Sequence, residues 1–328
     1  MSSTLSTYHS ALLHISLPTL SSITDYHKEL INSSVKQVTN LLTILVSCPE
    51  IDYYVNDPLT GWTQVHNFLS ALYVSGTKSA YEAGKPFLDI DVIFEKWCGY
   101  QVELSIDRRF DILFGTINEK ARLQLFNETR KPFLLSELPI HILESNIQPP
   151  SIDSIVSNKI PLSLSHPKIF DHVAVGGTFD HLHAGHKILL TMTAWITGKR
   201  LICGVTDDIM LENKKFKEQL ESIDTRISKV HQFLESVRRG LIYEIVPIYD
   251  AYGPTITDAE IQAIVVSKET SSGANSINRE RAKKGFQPLH ISIIEVISSS
   301  NPSLSNDELK NLKLGSTHLR ALLCKKEN

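Results

Sequence analysis

The second half of the chain alternates short apolar runs with helical patterns. The runs His172–Gly176, Leu201–Thr206, Tyr243–Tyr249, Ala263–Ser267 and Leu289–Ile297 are rich in β-branched residues and have the length of buried strands. Between the first two, Ile188, Leu189, Met192, Trp195 and Ile196 recur at helical spacing over Ala184 to Thr197, with Gly198 expected as the stop. Ile227, Val230, Phe233, Leu234 and Val237 mark a second helix over Thr225 to Arg238. Such alternation predicts an α/β fold, a doubly wound parallel sheet with helices on both faces. Ligands of these sheets bind beyond the carboxyl ends of the strands.

The first half is less regular. A helix over Val65 to Tyr81 and strands at Leu88–Phe94, Gln101–Ser105 and Asp111–Phe114 predict a mixed α/β domain, with no chemical constellation in it. Between the halves, Pro149-Pro150-Ser151 opens a Ser-rich stretch interrupted again at Pro161 and Pro167, a composition that favours exposed, extended chain. The expected organisation is a domain over 1–148, a linker over 149–169 and a second domain over 170–328. A length of 328 residues suits two domains, and no repeat is visible.

Charge and cysteine content narrow the class. With 33 basic and 36 acidic residues the net charge is −3, which argues against a nucleic-acid partner. Cys48, Cys98, Cys203 and Cys324 lie far apart, so free thiols in a reducing compartment are expected. The N-terminus lacks a secretory pattern, and apolar stretches such as Leu41 to Cys48 are far short of the ~20 residues that span a bilayer. A soluble protein of the cytoplasm, with the nucleus as a second compartment, is the expectation.

One segment carries chemistry: Val175-Gly176-Gly177-Thr178-Phe179-Asp180-His181-Leu182-His183-Ala184-Gly185-His186. A strand ends on two glycines, which let backbone approach a ligand closely. A helix begins near Ala184, and its N-terminus presents unpaired N–H groups and the positive end of the dipole, which suits phosphate. His183 and His186, spaced i, i+3, can both face that site. Thr178 adds a hydroxyl. No lysine follows the glycines in P-loop fashion, and the pattern is not G-x-G-x-x-G. His181 and His183 alternate on a turn and no cysteine lies near, so phosphate handling is preferred to a metal site.

This segment resembles the GGTFD-x-x-HxGH signature of the nucleotidyltransferases. Asp250-Ala251-Tyr252-Gly253-Pro254, the stretch from Val265 to Arg281, and Ser316-Thr317-His318-Leu319-Arg320 resemble later motifs of the eukaryotic, fungal-type phosphopantetheine adenylyltransferases of coenzyme A biosynthesis. Gly315 stands where that family's late motif usually has its first serine. The resemblance covers about Asp171 to Leu323 and implies a Rossmann-like nucleotidyltransferase fold there.

It also implies roles. AMP would pass from ATP, with Mg²⁺, to 4′-phosphopantetheine. Gly176, Gly177, His183 and His186 would hold ATP, His186 at the transition-state phosphate, and Thr178 would bridge donor and acceptor. Lys214 would take the acceptor phosphate, with Lys215 and Lys217 keeping the register open. Arg281 would bind a phosphate, while Arg279 and Lys283 would be solvated. Ser316, Thr317 and Arg320 would close over the β- and γ-phosphates; the plainer reading of Ser316 and Thr317 is a helix cap. Trp195 is expected in the core, and Pro247 and Pro254 in loops.

Two alternatives stay open. One is another nucleotidyltransferase of this signature, using CTP or a different phosphate acceptor. The other is a silent scaffold subunit whose first half contacts other coenzyme A-synthesising enzymes. Self-association is also left open.

Overall fold

In the computed structural model, which describes residues 6–105, 109–150, 169–294 and 315–327, the run from Ser10 to Ile15 is buried within a strand, β1 (Tyr8–Ser16). It is followed by α1 (Asp25–Gln37), β2 (Val38–Ser47), α2 (Pro49–Tyr54), α3 (Trp62–Glu82), β3 (Asp89–Phe94), β4 (Ile112–Gly115), α4 (Lys120–Arg130) and β5 (Ile140–Ile142). All pairings are parallel, in the order β3-β2-β1-β4-β5. The chain divides into two compact units, Met1–Pro167 and Lys168–Asn328.

The second unit holds β6 (Phe170–Gly177), α5 (Ala184–Trp195), β7 (Thr197–Thr206), α6 (Ile223–Val237), β8 (Ile242–Ile248), β9 (Ala263–Ser267), α7 (Ser271–Lys283), β10 (His290–Ile294) and α8 (Ser316–Glu327). Its sheet is also parallel throughout, ordered β10-β9-β6-β7-β8. Read from β8, this repeats the strand order of the first unit. In each unit the first strand is central, and the order reverses beside it, at β1/β4 and at β6/β9. That reversal opens the crevice in which such sheets take ligands.

The second core packs Ala174, Ile202, Ile264 and Val266 of the sheet against Ala274 and Ile277 of α7. Every residue of α5 from Lys187 to Trp195 is buried, so Trp195 lies in the core as its spacing suggested. No helix among the described residues is long and apolar enough to cross a membrane.

Several expectations shift. Gln101–Ser105 is no strand but a 3-10 turn at Val102–Leu104, where Gly99 turns the chain at φ 81° and the Glu103 carbonyl accepts from Arg130 of α4. Gly198 does not stop α5. The helix ends at Trp195, where the Thr197 hydroxyl takes the Thr193 carbonyl, and Gly198 lies within β7. Pro247 sits in strand β8 rather than a loop; β8 is an edge strand, which tolerates a missing N–H. Residues 295–297 of the last expected strand, and 151–168 of the expected linker, lie outside the described residues.

The first unit fills its own crevice with side chains. Buried His14 of β1 has Glu119 Oε1 at 3.2 Å from Nδ1 and Ser47 Oγ at 3.3 Å from Nε2. Ser47 donates to Glu95, which also pairs with Arg122. Glu119 accepts the backbone N–H groups of Ser16 and Thr116 at the exits of β1 and β4. Burial alone would lower the His14 pKa, but the two carboxylates outweigh it and raise it to about 9.

Candidate functional site

In the second unit the signature segment leaves β6 at the corresponding strand exit. Gly176 pairs in register with Gly204 of β7, and a Cβ on Gly204 would press within 2.8 Å of Ile248. A Cβ on Gly177 would meet the Phe179 ring at 3.1 Å. Phe179 and His181 both adopt left-handed backbone, at φ 52° and 44°. For residues other than glycine this costs on the order of 1 kcal/mol each and persists only where the surroundings fix it. They do: Phe179 and Asp180 are fully buried.

Asp180 organises the loop. One carboxylate oxygen accepts the Glu221 N–H at 2.9 Å, and the other pairs with the buried Arg320 guanidinium. The Asp180 carbonyl accepts the Ser316 hydroxyl at 2.7 Å. His181 gives its N–H to Glu221 Oε2 at 2.8 Å, and its Nε2 lies 2.7 Å from the Gln219 carbonyl. Arg226 is fully buried in the first turn of α6. It donates to the carbonyls of Thr178, Thr206 and Glu221, and pairs with Asp208. The exit of β6 and the exit of β7 therefore share one guanidinium.

His183 caps α5 from an extended conformation, its Nδ1 accepting the Gly185 N–H at 3.2 Å. An acceptor Nδ1 leaves the proton of a neutral ring on Nε2, the free edge. The His183 and His186 rings stack, with centroids 3.9 Å apart and planes at 28°. The Phe179 ring lies 5.3 Å from His186 on another side. Burial, then the nearby Lys187 and His181, lowers the His183 pKa to about 4. Burial and His183 push His186 well below its ordinary value. Both are neutral at pH 7. His186 Nδ1 is buried with no hydrogen-bond partner.

Thr178 follows the strand exit and is half-buried, and Gly176 is exposed. Lys214, Lys215 and Lys217 are all exposed on the segment that follows β7. Ser316 begins α8, and its hydroxyl serves Asp180 rather than its own helix. Thr317 is exposed and accepts from Arg320 at 3.2 Å.

Of the expected phosphate ligands, Arg281 points elsewhere and Arg320 is partly engaged within the protein. Arg281 is fully buried and donates to the carbonyls of Gln287, Thr255, Asp258, Ala259 and Ile261. It pins the turn that follows the Tyr252-Gly253-Pro254 segment, with no donor left for a nucleotide. Arg320 is 2% exposed and uses three of its donors on Asp180, the Lys215 carbonyl at 3.0 Å and Thr317. A guanidinium has five donors, and Arg281 uses all of them on the protein itself.

Sequence reasoning overlooked Arg226, Glu221 and the central place of Asp180. A signal existed for Arg226: it falls on the same helical face as Val230, Phe233, Leu234 and Val237, all buried. An arginine on an apolar face must find acceptors or unfold the site. Arg281 shows the same sign, aligned with Ala274 and Ile277 of α7.

The Cytidylyltransferase-like family matches residues 174–307, inside the second unit. Phosphopantetheine adenylyltransferase of Methanopyrus kandleri is 40% identical over 43% of this chain and 89% of its own. An uncharacterized protein of Schizosaccharomyces pombe is 36% identical over 87% of both chains. Phosphopantetheine adenylyltransferase of Saccharomyces cerevisiae is 34% identical over 72% of this chain and 83% of its own length. With the strand exit, the paired histidines and a relative matched through both halves, the chain belongs to the phosphopantetheine adenylyltransferase family.

Proposed function

We propose that this protein transfers AMP from ATP to 4′-phosphopantetheine, releasing pyrophosphate and forming dephospho-coenzyme A. The observation that carries the reading is the stacked, neutral pair His183–His186 at the start of α5, beside the Gly176–Thr178 exit of β6.

The chemistry asks little covalent help. An acceptor phosphate oxygen is already anionic and attacks the α-phosphorus. The bond to the β-phosphate oxygen breaks, and pyrophosphate leaves. No general base and no enzyme intermediate are required; alignment and charge neutralisation do the work. His183 offers Nε2–H while its Nδ1 is held by Gly185, which fixes the tautomer without a second carboxylate. His186 donates at the α-phosphate as charge develops. Thr178 lies between donor and acceptor phosphates. The first-turn N–H groups of α5 supply dipole charge, and Lys214 neutralises the acceptor phosphate.

Mg²⁺ enters with the triphosphate. Among the described residues no three metal-ligating side chains converge, so the ion fits as part of the nucleotide rather than of a protein cage. It would supply charge neutralisation on the leaving pyrophosphate.

Pyrophosphate release tests the reading. The purified protein is given ATP with 4′-phosphopantetheine, nicotinamide mononucleotide or phosphocholine, and each acceptor again with CTP. Release with ATP and 4′-phosphopantetheine alone supports it. Release with another pair keeps the histidine chemistry and overturns the substrate. No release with any pair from folded protein favours a scaffold.

A further inference from the structure

The segment between β7 and α6 is mostly exposed and polar, carrying Glu212, Lys214, Lys215, Lys217 and Glu218 with few apolar anchors. Its position depends on what holds its backbone. At its end, Glu221 is tied to Asp180 and His181 of the signature loop. Gln219 offers its carbonyl to the His181 ring. In its middle, beyond its own turns, the hold is from α8: Arg320 Nε donates to the Lys215 carbonyl at 3.0 Å. The same guanidinium pairs with Asp180, and Cys324 of α8 lies 3.4 Å from a Glu218 carboxylate oxygen. Arg320 and Asp180 are both buried, so this junction is a fixed point and the lysines hang from it.

We propose that Arg320 is a positioning residue for the acceptor side of the site. It sets the Lys214–Lys215 backbone against the signature loop through its Nε–H. This rests on the adenylyltransferase reading for its kinetic consequence, but not for its structural one. Lysine and arginine differ here in a useful way. A lysine at this place keeps a charge for Asp180, but a point charge cannot also reach the Lys215 carbonyl as a guanidinium fork does. Arg320→Lys therefore cuts one tie and leaves the ion pair.

The test uses full-length Arg320→Lys beside wild type and needs two readouts. The first is amide hydrogen exchange without ligand. The proposal expects faster exchange over residues 214–221 and unchanged exchange in β6 and β9. The second is steady-state kinetics. The KM for 4′-phosphopantetheine is expected to rise about tenfold while that for ATP stays within about twofold. A triphosphate ligand would give the reverse, with wild-type exchange and a raised KM for ATP; that result overturns the proposal. Should Arg320→Lys fail to fold, Arg320→Gln gives the reverse test: its amide nitrogen sits where Nε does and keeps the Lys215 tie while the Asp180 pair is lost, so a folded Arg320→Gln should keep the KM for 4′-phosphopantetheine within about twofold of wild type, and a tenfold rise there overturns the proposal. Wild-type protein inactive toward 4′-phosphopantetheine would reject the function alone, since the exchange readout stands without turnover.

Discussion

His183 and His186 stack at 3.9 Å, and only one of them has its Nδ1 in use. His183 is oriented by its own helix cap, whereas His186 is held by rings on two sides. The pair therefore has different failure modes. His186→Ala should lower turnover by about 100-fold or more, as loss of a preorganised donor does, with the fold intact by near-ultraviolet circular dichroism. His183→Ala should also cost about 1 kcal/mol of stability through the lost cap. Near-wild-type turnover in folded His186→Ala would remove the central residue.

The pH dependence follows from burial. With His183 near 4 and His186 well below its ordinary value, neither changes charge between pH 6 and 9 in the free enzyme. The kcat/KM profile should show no limb near 6.5 from either ring. A limb there that disappears in His183→Asn would show a solvated, ordinary histidine. For stability the sign is the usual one for a depressed group. Below 6.5 the unfolded chain takes up a proton that folded His183 refuses, so stability falls as pH drops toward 4.

His14 works in the opposite direction. Its folded value of about 9 lies above the ordinary 6.5. Its contribution is full below pH 6.5 and is lost as pH rises through 9. The shift corresponds to about 3 kcal/mol. Thermal melts of wild type and His14→Gln should converge as pH rises from 6 to 9.5. Melts that stay parallel would mean that His14 is neutral between its two carboxylates.

Arg226 and Arg281 should behave as structural groups. Arg281→Lys leaves several buried carbonyls without donors, each costing roughly 1 kcal/mol or more, so the melting temperature should fall clearly. Any folded fraction should bind ATP with wild-type affinity by calorimetry. Weaker ATP binding in a variant of unchanged stability would return Arg281 to the nucleotide. Arg226→Lys should lower both stability and turnover, because the Thr178 and Thr206 carbonyls lose their common donor.

A chain beginning at Lys168 should fold and bind ATP, since the second unit has its own sheet and core. Fluorescence melting with a nucleotide-dependent upward shift would bear this out. A molten product would mean that the two units share stabilising contacts.

The sequence by itself determined the second sheet and the signature loop. Five β-branched runs and two amphipathic helices are local patterns, set by burial on one face or both. The glycine pair and the i, i+3 histidines are likewise local, and the structure joins them at the exit of β6. The first unit was only partly legible. The run in β1 and β2 is apolar without strict alternation, and the polar residues of α1 mask its helical period. What only the tertiary structure decided is the fate of the long cations. A sequence motif marks an arginine, but its donors go to whichever acceptors the packed chain leaves unpaired. For Arg226, Arg281 and Arg320 those are carbonyls and carboxylates brought together from up to 140 residues away. Burial makes such acceptors costly to leave empty, and that cost is invisible until the strands and helices are in place.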